Sequence, residues 1–290
     1  VWSRWRLDGA PLDQGAYVAG ARDGEWLTWR ADGSLERRQT WVMDQREGPA
    51  TRLHADGSVQ VSEQWSADRP EGEWVWQRPD GSVEQRVTFS AGRRDGPAVS
   101  FHPDGTKAAE GAYADGLREG PWTSWYPDGT VEAEGDFAGG ARQGDWATFN
   151  PDGAPDAAGP YRAGVRHGRW TFWDYDLRDG DTVHVVRTEG EVIEGDAQGE
   201  WLGVYDATGE PFSAVTYLDG RRQGDYADYF PDGAPRSAGP FLDDLQHGRW
   251  QFWHPNGQLA CEGDYHLGEE VGDWACFDEA GNSLRPGGNG

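Results

Sequence analysis

Tyr113-Ala-Asp-Gly-Leu-Arg-Glu-Gly-Pro-Trp-Thr-Ser-Trp-Tyr-Pro-Asp-Gly129 is one turn of a cycle that fills the 290-residue chain. Its central glycine, Gly120, belongs to a series (Gly24, Gly48, Gly72, Gly96, Gly120, Gly144, Gly168) spaced 24 residues apart. The later members Gly199, Gly224, Gly248 and Gly272 follow at spacings of 31, 25, 24 and 24. Trp2, Trp5, Asp8 and Gly9 match a first unit, 1–23, that lacks its opening glycine. A fixed period of this length marks an array in which each unit packs on its neighbours. The chain is therefore read as one array over 1–284 with a tail at 285–290. It opens inside a unit, at Val1, which suggests a processed or excerpted product.

The unit reads as backbone without difficulty. Segments such as Trp122–Tyr126, bounded by Gly and by Pro-Asp-Gly, have the composition of β-strands. Pro-Asp-Gly suits a type I turn with a bulge: proline fixes φ, aspartate bonds nearby backbone and glycine takes positive φ. A second strand, for example Val131–Phe137, leads into another glycine-containing loop. Each unit is thus one hairpin, and about twelve hairpins pairing edge to edge give an all-β fold. The expected form is an elongated, twisted, single-layer antiparallel sheet or solenoid without a helical cover.

Counting from each opening glycine as position 0, aromatic residues gather at positions 2, 5 and 17. Position 2 holds Trp26, Trp122, Trp170 and Trp250, among others. Position 5 holds Trp125, Phe149, Trp173, Tyr229 and Trp253. Position 17 holds Tyr113, Phe137, Tyr161, Phe241 and Tyr265. Position 15 is often glycine (Gly111, Gly159, Gly239), leaving room for a neighbouring ring over the backbone. Strand alternation puts positions 2 and 5 on opposite faces. A three-residue Pro-Asp-Gly loop then groups 5, 15 and 17, whereas a two-residue loop groups 2, 15 and 17. The first arrangement is preferred. It keeps Cys261 and Cys276 apart, while the second sets them opposite each other.

Composition narrows the function. The net charge is −25, and removing the eight aspartates of the recurring Asp-Gly turn still leaves −17. Such a field disfavours nucleic acid and anionic membrane and favours a cationic partner or simple solubility. No run of 18 apolar residues is present, so no membrane-inserting segment is read. Seventeen Trp against one Met point to a thin structure stabilised by large flat rings.

The quoted stretch, with Tyr161 to Trp173 and Tyr265 to Gly281, resembles the MORN repeat, in the bacterial variant of toxin–antitoxin type. The shared pattern is Y-x-x-G-x-x-x-G-x-W-x-x-Y/W-x-x-D/N-G. The resemblance covers nearly the whole chain and implies a β-hairpin array serving as an interaction platform, with some bacterial relatives acting as antitoxins or immunity proteins. Phospholipid binding and self-association are also ascribed to such arrays; the acidic charge here argues against the lipid role. Two stretches depart from the pattern. Ala50 and Ala98 stand where Trp is expected, and Gln39, Glu63 and Val87 replace the position-15 glycine, so 36–101 is expected to be irregular in curvature. Between Trp173 and Gly199 the period gains seven residues, with Asp174–Gly180 in place of the usual turn. That atypical hairpin, 174–198, is either a neutral lengthening or a protruding contact, with His184, Arg187 and Glu189 as the residues it would offer.

No catalytic constellation emerges. His54, His102 and His254 share position 6, and His167 and His247 share position 23, so equivalent histidines lie in different hairpins and cannot converge on one metal. A single aspartate per turn is too few oxygens for calcium, and no nucleophile elbow, phosphate loop or dinucleotide fingerprint is present. No cofactor or metal is expected. The reading is a non-enzymatic array offering an aromatic face (Tyr113, Trp125, Phe137, Phe149, Tyr161, Trp173, Tyr229, Phe241, Trp253, Tyr265) to a cationic protein partner, its sharper form an antitoxin or immunity protein against a basic toxin. The alternative is a scaffold that self-associates through its sheet face or edges. Compartment is not legible.

Overall fold

The computed structural model describes residues 1–179 and 182–284; the tail expected at 285–290 lies outside them. The fold is all-β, with antiparallel strands and no helix among the described residues. Two bodies are distinguished, Val1–Arg142 with Pro151–Gly153, and Gln143–Asn150 with Ala154–Gly290. In the first, hairpins follow one another so that each strand pairs with the next. Lys107–Ala114 pairs with Leu117–Trp125, which pairs in turn with Val131–Ala138. In the second, the same ladder runs from Pro155–Arg162 to Glu269–Cys276.

Two turn types alternate, as the glycine spacing demands. At Pro-Asp-Gly the His102 N–H donates to the Thr106 carbonyl at 2.8 Å and the Gly105 N–H to the His102 carbonyl at 3.0 Å. That is a three-residue loop built on a type I turn, closed by Gly105 at φ +90°. The other turn has two residues, both at positive φ, as in Asp115 (+50°) and Gly116 (+92°). This geometry matches the natural twist of a hairpin. The opening glycine does a third job. Glu110 pairs with Thr123 but Ala112 with Glu119, so a bulge falls at Gly120–Trp122. Opening glycines sit at φ between +65° (Gly199) and +112° (Gly96), a region that side-chain-bearing residues rarely adopt. The strict period of 24 follows from two turns and one bulge recurring at fixed places.

The turn aspartates carry a measurable signature. Asp32, Asp56, Asp80 and Asp104 have pKa values below the ordinary 3.8, chiefly because the hydroxyls of Ser34, Ser58, Ser82 and Thr106 donate to them. Backbone N–H donors do the same for Asp44, Asp68 and Asp244. A carboxylate with a depressed folded-state pKa binds fewer protons folded than unfolded. Its stabilisation is complete above the unfolded value and is lost as pH falls through the folded one. The melting temperature should therefore hold down to about pH 5 and drop between about pH 4 and pH 2. Replacing Ser34, Ser58 and Ser82 together by alanine should make that drop shallower, because Asp32, Asp56 and Asp80 lose the donors that hold their folded-state pKa values down. A scan of melting temperature against pH checks this; identical curves for the two proteins contradict it.

The face assignment expected from the three-residue loop is corrected. The loop does have three residues, but a further bulge lies two residues beyond it. Trp125 pairs with Val131 while Ser124 pairs with Ala133, leaving Glu132 without a partner. The same skip recurs at Thr28/Trp29, Ser100/Phe101, Thr148/Phe149 and Phe252/Trp253. One extra residue reverses the side-chain parity of the strand that follows. Positions 2, 15 and 17 consequently share a face. Cys261 and Cys276 are direct partners in the ladder and form a disulfide, against the expectation that they stay apart.

On that face the indoles make the core. Trp170 and Trp250 are 2 % exposed, although no helix among the described residues covers them. Trp26, Trp122, Trp170 and Trp250 lie flat over the position-15 glycine of the preceding hairpin. A Cβ added at Gly111 would lie 2.2 Å from Trp122 Cδ2, and at Gly159 2.5 Å from Trp170 Cδ2. The indole N–H donates to the next carbonyl along, from Trp122 to Ala112 at 3.1 Å, from Trp170 to Pro160 at 3.0 Å and from Trp250 to Pro240 at 3.0 Å. Trp201 and Trp274 lie over Gly190 and Gly263 in the same way, but their buried Nε1 atoms have no acceptor. Two of the three exceptions in 36–101, Gln39 and Val87, are compensated. Gln39 pairs with Ala50 and Val87 with Ala98, so the large residue moves across the junction and the small one takes its place. Gln39, Ala50, Val87 and Ala98 are all buried, and the ladder keeps its register shifts through this stretch.

Candidate interaction surface

The two faces differ in what they leave available. On the indole face, position-17 rings stand edge-on against the tryptophans. Tyr113 meets Trp122 at 5.3 Å between centroids, Tyr161 meets Trp170 at 5.1 Å, Phe241 meets Trp250 at 5.1 Å and Tyr265 meets Trp274 at 5.0 Å. Phe137 packs on Trp122 at 6.0 Å. Arginines roof this layer. Arg22 lies 3.4 Å over the Trp41 ring, Arg46 3.7 Å over Trp65 and Arg222 4.1 Å over Phe241. Asp44, Asp68 and Asp244 hold those guanidiniums by Nε at 3.1, 2.9 and 3.2 Å. Cation–π contacts of this kind are attractive and fix a long side chain in place.

The ten candidate residues do not share one surface. Tyr113, Phe137, Tyr161, Phe241 and Tyr265 belong to the indole layer. Alternation along the unbulged strand sends Trp125, Phe149, Trp173, Tyr229 and Trp253 to the opposite face, where all five are half-buried. There the Lys107 ammonium sits 5.5 Å from the Trp125 ring and pairs with Glu110. Exposed acidic residues share this face, among them Glu110, Glu134 and Asp136.

The position-6 histidines have a structural task. His54 Nε2 lies 2.9 Å from the Gln77 carbonyl, His102 Nε2 2.8 Å from that of Trp125, and His254 Nε2 2.9 Å from that of Phe277. Arginine does the same work where it occupies this position, Arg78 donating to the Phe101 carbonyl at 2.6 Å. Each bond ties one hairpin's turn end to the next. Removing one, as in His102→Ala, should cost about 1 kcal/mol in a denaturation experiment, the usual net worth of such a bond.

In the atypical hairpin the strands Gly168–Asp179 and Thr182–Ile193 continue the ladder beyond the usual turn. Residues 174–179 are therefore strand, which corrects the reading of 174–180 as a replaced turn; Gly180 lies outside the described residues. His184 packs edge-on against Tyr205 at 5.3 Å. Arg187 is exposed, and Glu189 pairs with Arg169 at 2.9 Å. Alternation places Arg187 and Glu189 on one face and His184 on the other, so the three are not one contact.

Sequence reasoning missed two buried polar clusters on the indole face. Glu63, with a side chain 1 % exposed, takes Arg37 Nη2 at 2.5 Å, Arg52 Nη2 at 3.7 Å and the Trp65 indole N–H at 2.8 Å. Asp228 takes Arg236 Nη2 at 2.5 Å and Ser237 Oγ at 2.5 Å. The neighbouring Tyr226 hydroxyl is pushed up to about 12, by burial first and by the Asp228 charge second. For the Glu63 cluster the available signal was the replacement of the position-15 glycine by Gln39 and Glu63.

The MORN repeat variant family model matches residues 118–138 and 246–266, one stretch in each body. No curated protein matches the chain. Among solved structures, the chain is similar to "Crystal Structure of TcdB2-TccC3" and to the same assembly without its hypervariable C-terminal region. Each match is at 10% identity with a TM-score of 0.15, over 93% and 95% of this chain. The chain spans about a fifth of the length of those structures' chains (20%).

Proposed function

We propose that this chain, with units of the MORN repeat variant family at 118–138 and 246–266, is a non-enzymatic platform for binding another protein. The observation carrying this reading is the division of labour between faces. The indole face is filled by its own rings and arginines, whereas the opposite face presents half-buried rings hairpin after hairpin, Trp125 in one body and Trp253 in the other. Rings of this kind anchor protein contacts well, because they bring area at low entropic cost. The surrounding carboxylates, within a net charge of −25, steer a cationic partner. The sharper form of the reading is an antitoxin or immunity protein covering a basic toxin. Capture of neighbouring gene products on the immobilised protein tests it. Retention of a basic partner, lost in Trp125→Ala/Trp253→Ala, supports the reading; unchanged retention in that variant contradicts the face assignment.

One observation favours a second reading, self-association. The strand Trp2–Trp5 is exposed along its length and pairs on one side with Pro11–Gly15. Trp2 and Trp5 are 53% and 64% exposed. Exposed tryptophans of this kind offer apolar area to a second copy of the chain. Light scattering over a concentration series separates the readings: a monomer at all concentrations rejects the scaffold.

A further inference from the structure

Lys107 is the sole lysine of the chain, and it stands on the open face of the first body, opposite the indoles. Counted from Gly96 it holds position 11, where other hairpins carry Leu35, Val59, Val83, Val131 and Leu259. Its ladder partner is Phe101. Its ammonium reaches to the next hairpin and sits 5.5 Å from the centre of the Trp125 ring. Glu110 holds the same ammonium as an ion pair, and both side chains of that pair are 51% exposed. One cation thus meets a ring and a carboxylate together, with water on its outer side.

A second carboxylate completes the surroundings. Glu110 pairs across the ladder with Thr123, and Thr123 pairs on its other side with Glu134. Thr123 precedes Trp125 by two residues and shares its face. The ring therefore closes one end of a strip with a carboxylate along each side. Two strand spacings separate those carboxylates, about 10 Å, a gap that admits one ammonium between them. Glu134 is exposed and has no ion-pair partner among the described residues. Elsewhere on this face arginines match the acids, Arg86 with Glu73 at 3.1 Å and Arg249 with Glu262 at 3.2 Å. Beside Trp125 two carboxylates share one cation, and the chain itself supplies it.

We propose that Trp125, Glu110 and Glu134 form the receiving site for a lysine side chain of the partner protein, and that Lys107 fills this site in the free chain and is displaced on binding. A ring face and a carboxylate are what an ammonium gains on leaving water, and Lys107 already engages both. An ion pair this exposed holds its members weakly, so a lysine backed by a whole interface replaces it. The proposal rests on the platform reading and deepens it, by naming the partner's docking side chain and its seat. Columns that repeat every 24 residues let a partner slide by one hairpin with little change of contact. This site does not repeat: the residue corresponding to Lys107 beside Trp253 is Pro235. A lysine seated at Trp125 would fix the partner's register.

The test titrates the intact protein into a fluorophore-labelled hexalysine peptide, followed by anisotropy at about 150 mM salt. Saturable binding is expected, and Lys107→Ala should tighten it about fivefold, because an internal occupant lowers apparent affinity by the fraction of sites it fills. Arg93→Gln removes an exposed cation of the same body, one that pairs with Asp115. It sets the scale for a general change of charge and should alter affinity by less than about twofold. Glu134→Gln, at an exposed position that leaves the fold intact, should weaken binding about fivefold. In Trp125→Ala the gain from Lys107→Ala should vanish. Equal binding by Lys107→Ala and Arg93→Gln overturns the proposal, as does a gain that survives in Trp125→Ala. If binding is lost in Trp253→Ala and kept in Trp125→Ala, the site fails while the platform stands. If hexalysine binds none of these proteins, the site fails, and the capture experiment alone judges the platform.

Discussion

Gly159→Val should destabilise the second body by about 3 kcal/mol, and Trp170→Ala should cost less when added to it than in the parent. A Cβ at residue 159 would sit 2.5 Å from Trp170 Cδ2 and 2.6 Å from Cγ. The indole has no easy retreat. Its N–H is bonded to the Pro160 carbonyl at 3.0 Å, its edge meets Tyr161 at 5.1 Å and its flat side stacks on Phe172 at 5.6 Å. Trp170→Ala alone should cost about 3–5 kcal/mol, because a ring 2 % exposed leaves a cavity. The double variant reproduces the pairing that Val87 and Ala98 already form, so the two losses should fall short of additivity by about 1–3 kcal/mol. Denaturation of the four proteins of this cycle measures it. Additive losses would mean that the ring and the glycine do not share one space.

Opening the Cys261–Cys276 bond should loosen the C-terminal hairpin by about 3 kcal/mol, the value expected for a closed loop of 15 residues. The effect should be local. Glu269–Cys276 has a ladder partner on one side, Leu259–His266, and beyond it a single bridge between Phe277 and Ser283. Reduction, or Cys261→Ser with Cys276→Ser, should speed amide exchange across residues 259–284 and leave the first body unchanged. Uniform protection before and after reduction would show that the disulfide is not what secures this end.

The sequence was most legible where the backbone has fewest choices. Opening glycines at positive φ, Pro-Asp-Gly turns and a fixed period gave the hairpin array directly. The room over Gly111 and Gly159 for a neighbouring ring was also readable. The face assignment was not, because it hangs on residues such as Glu132 that bulge without any local marker. That one residue per hairpin sends Trp125 and Trp253 away from Tyr113 and Tyr265, and brings Cys261 against Cys276. The exchange of large and small between Gln39 and Ala50 looked like two separate departures until the register made them partners. The Arg37–Glu63 contact spans 26 residues. It becomes visible once adjacent hairpins are laid side by side.

The tryptophans divide between a sealed face and an open one. Hydroxyl-radical footprinting of the free protein, read tryptophan by tryptophan in a mass spectrometer, tests it most directly. Trp122, Trp170 and Trp250 should be protected, and Trp125 and Trp253 should react several-fold faster, in line with burial of the first three and partial exposure of the others. Oxidation of Trp170 and Trp250 at the rate of Trp253 would contradict the division and the interaction surface built on it.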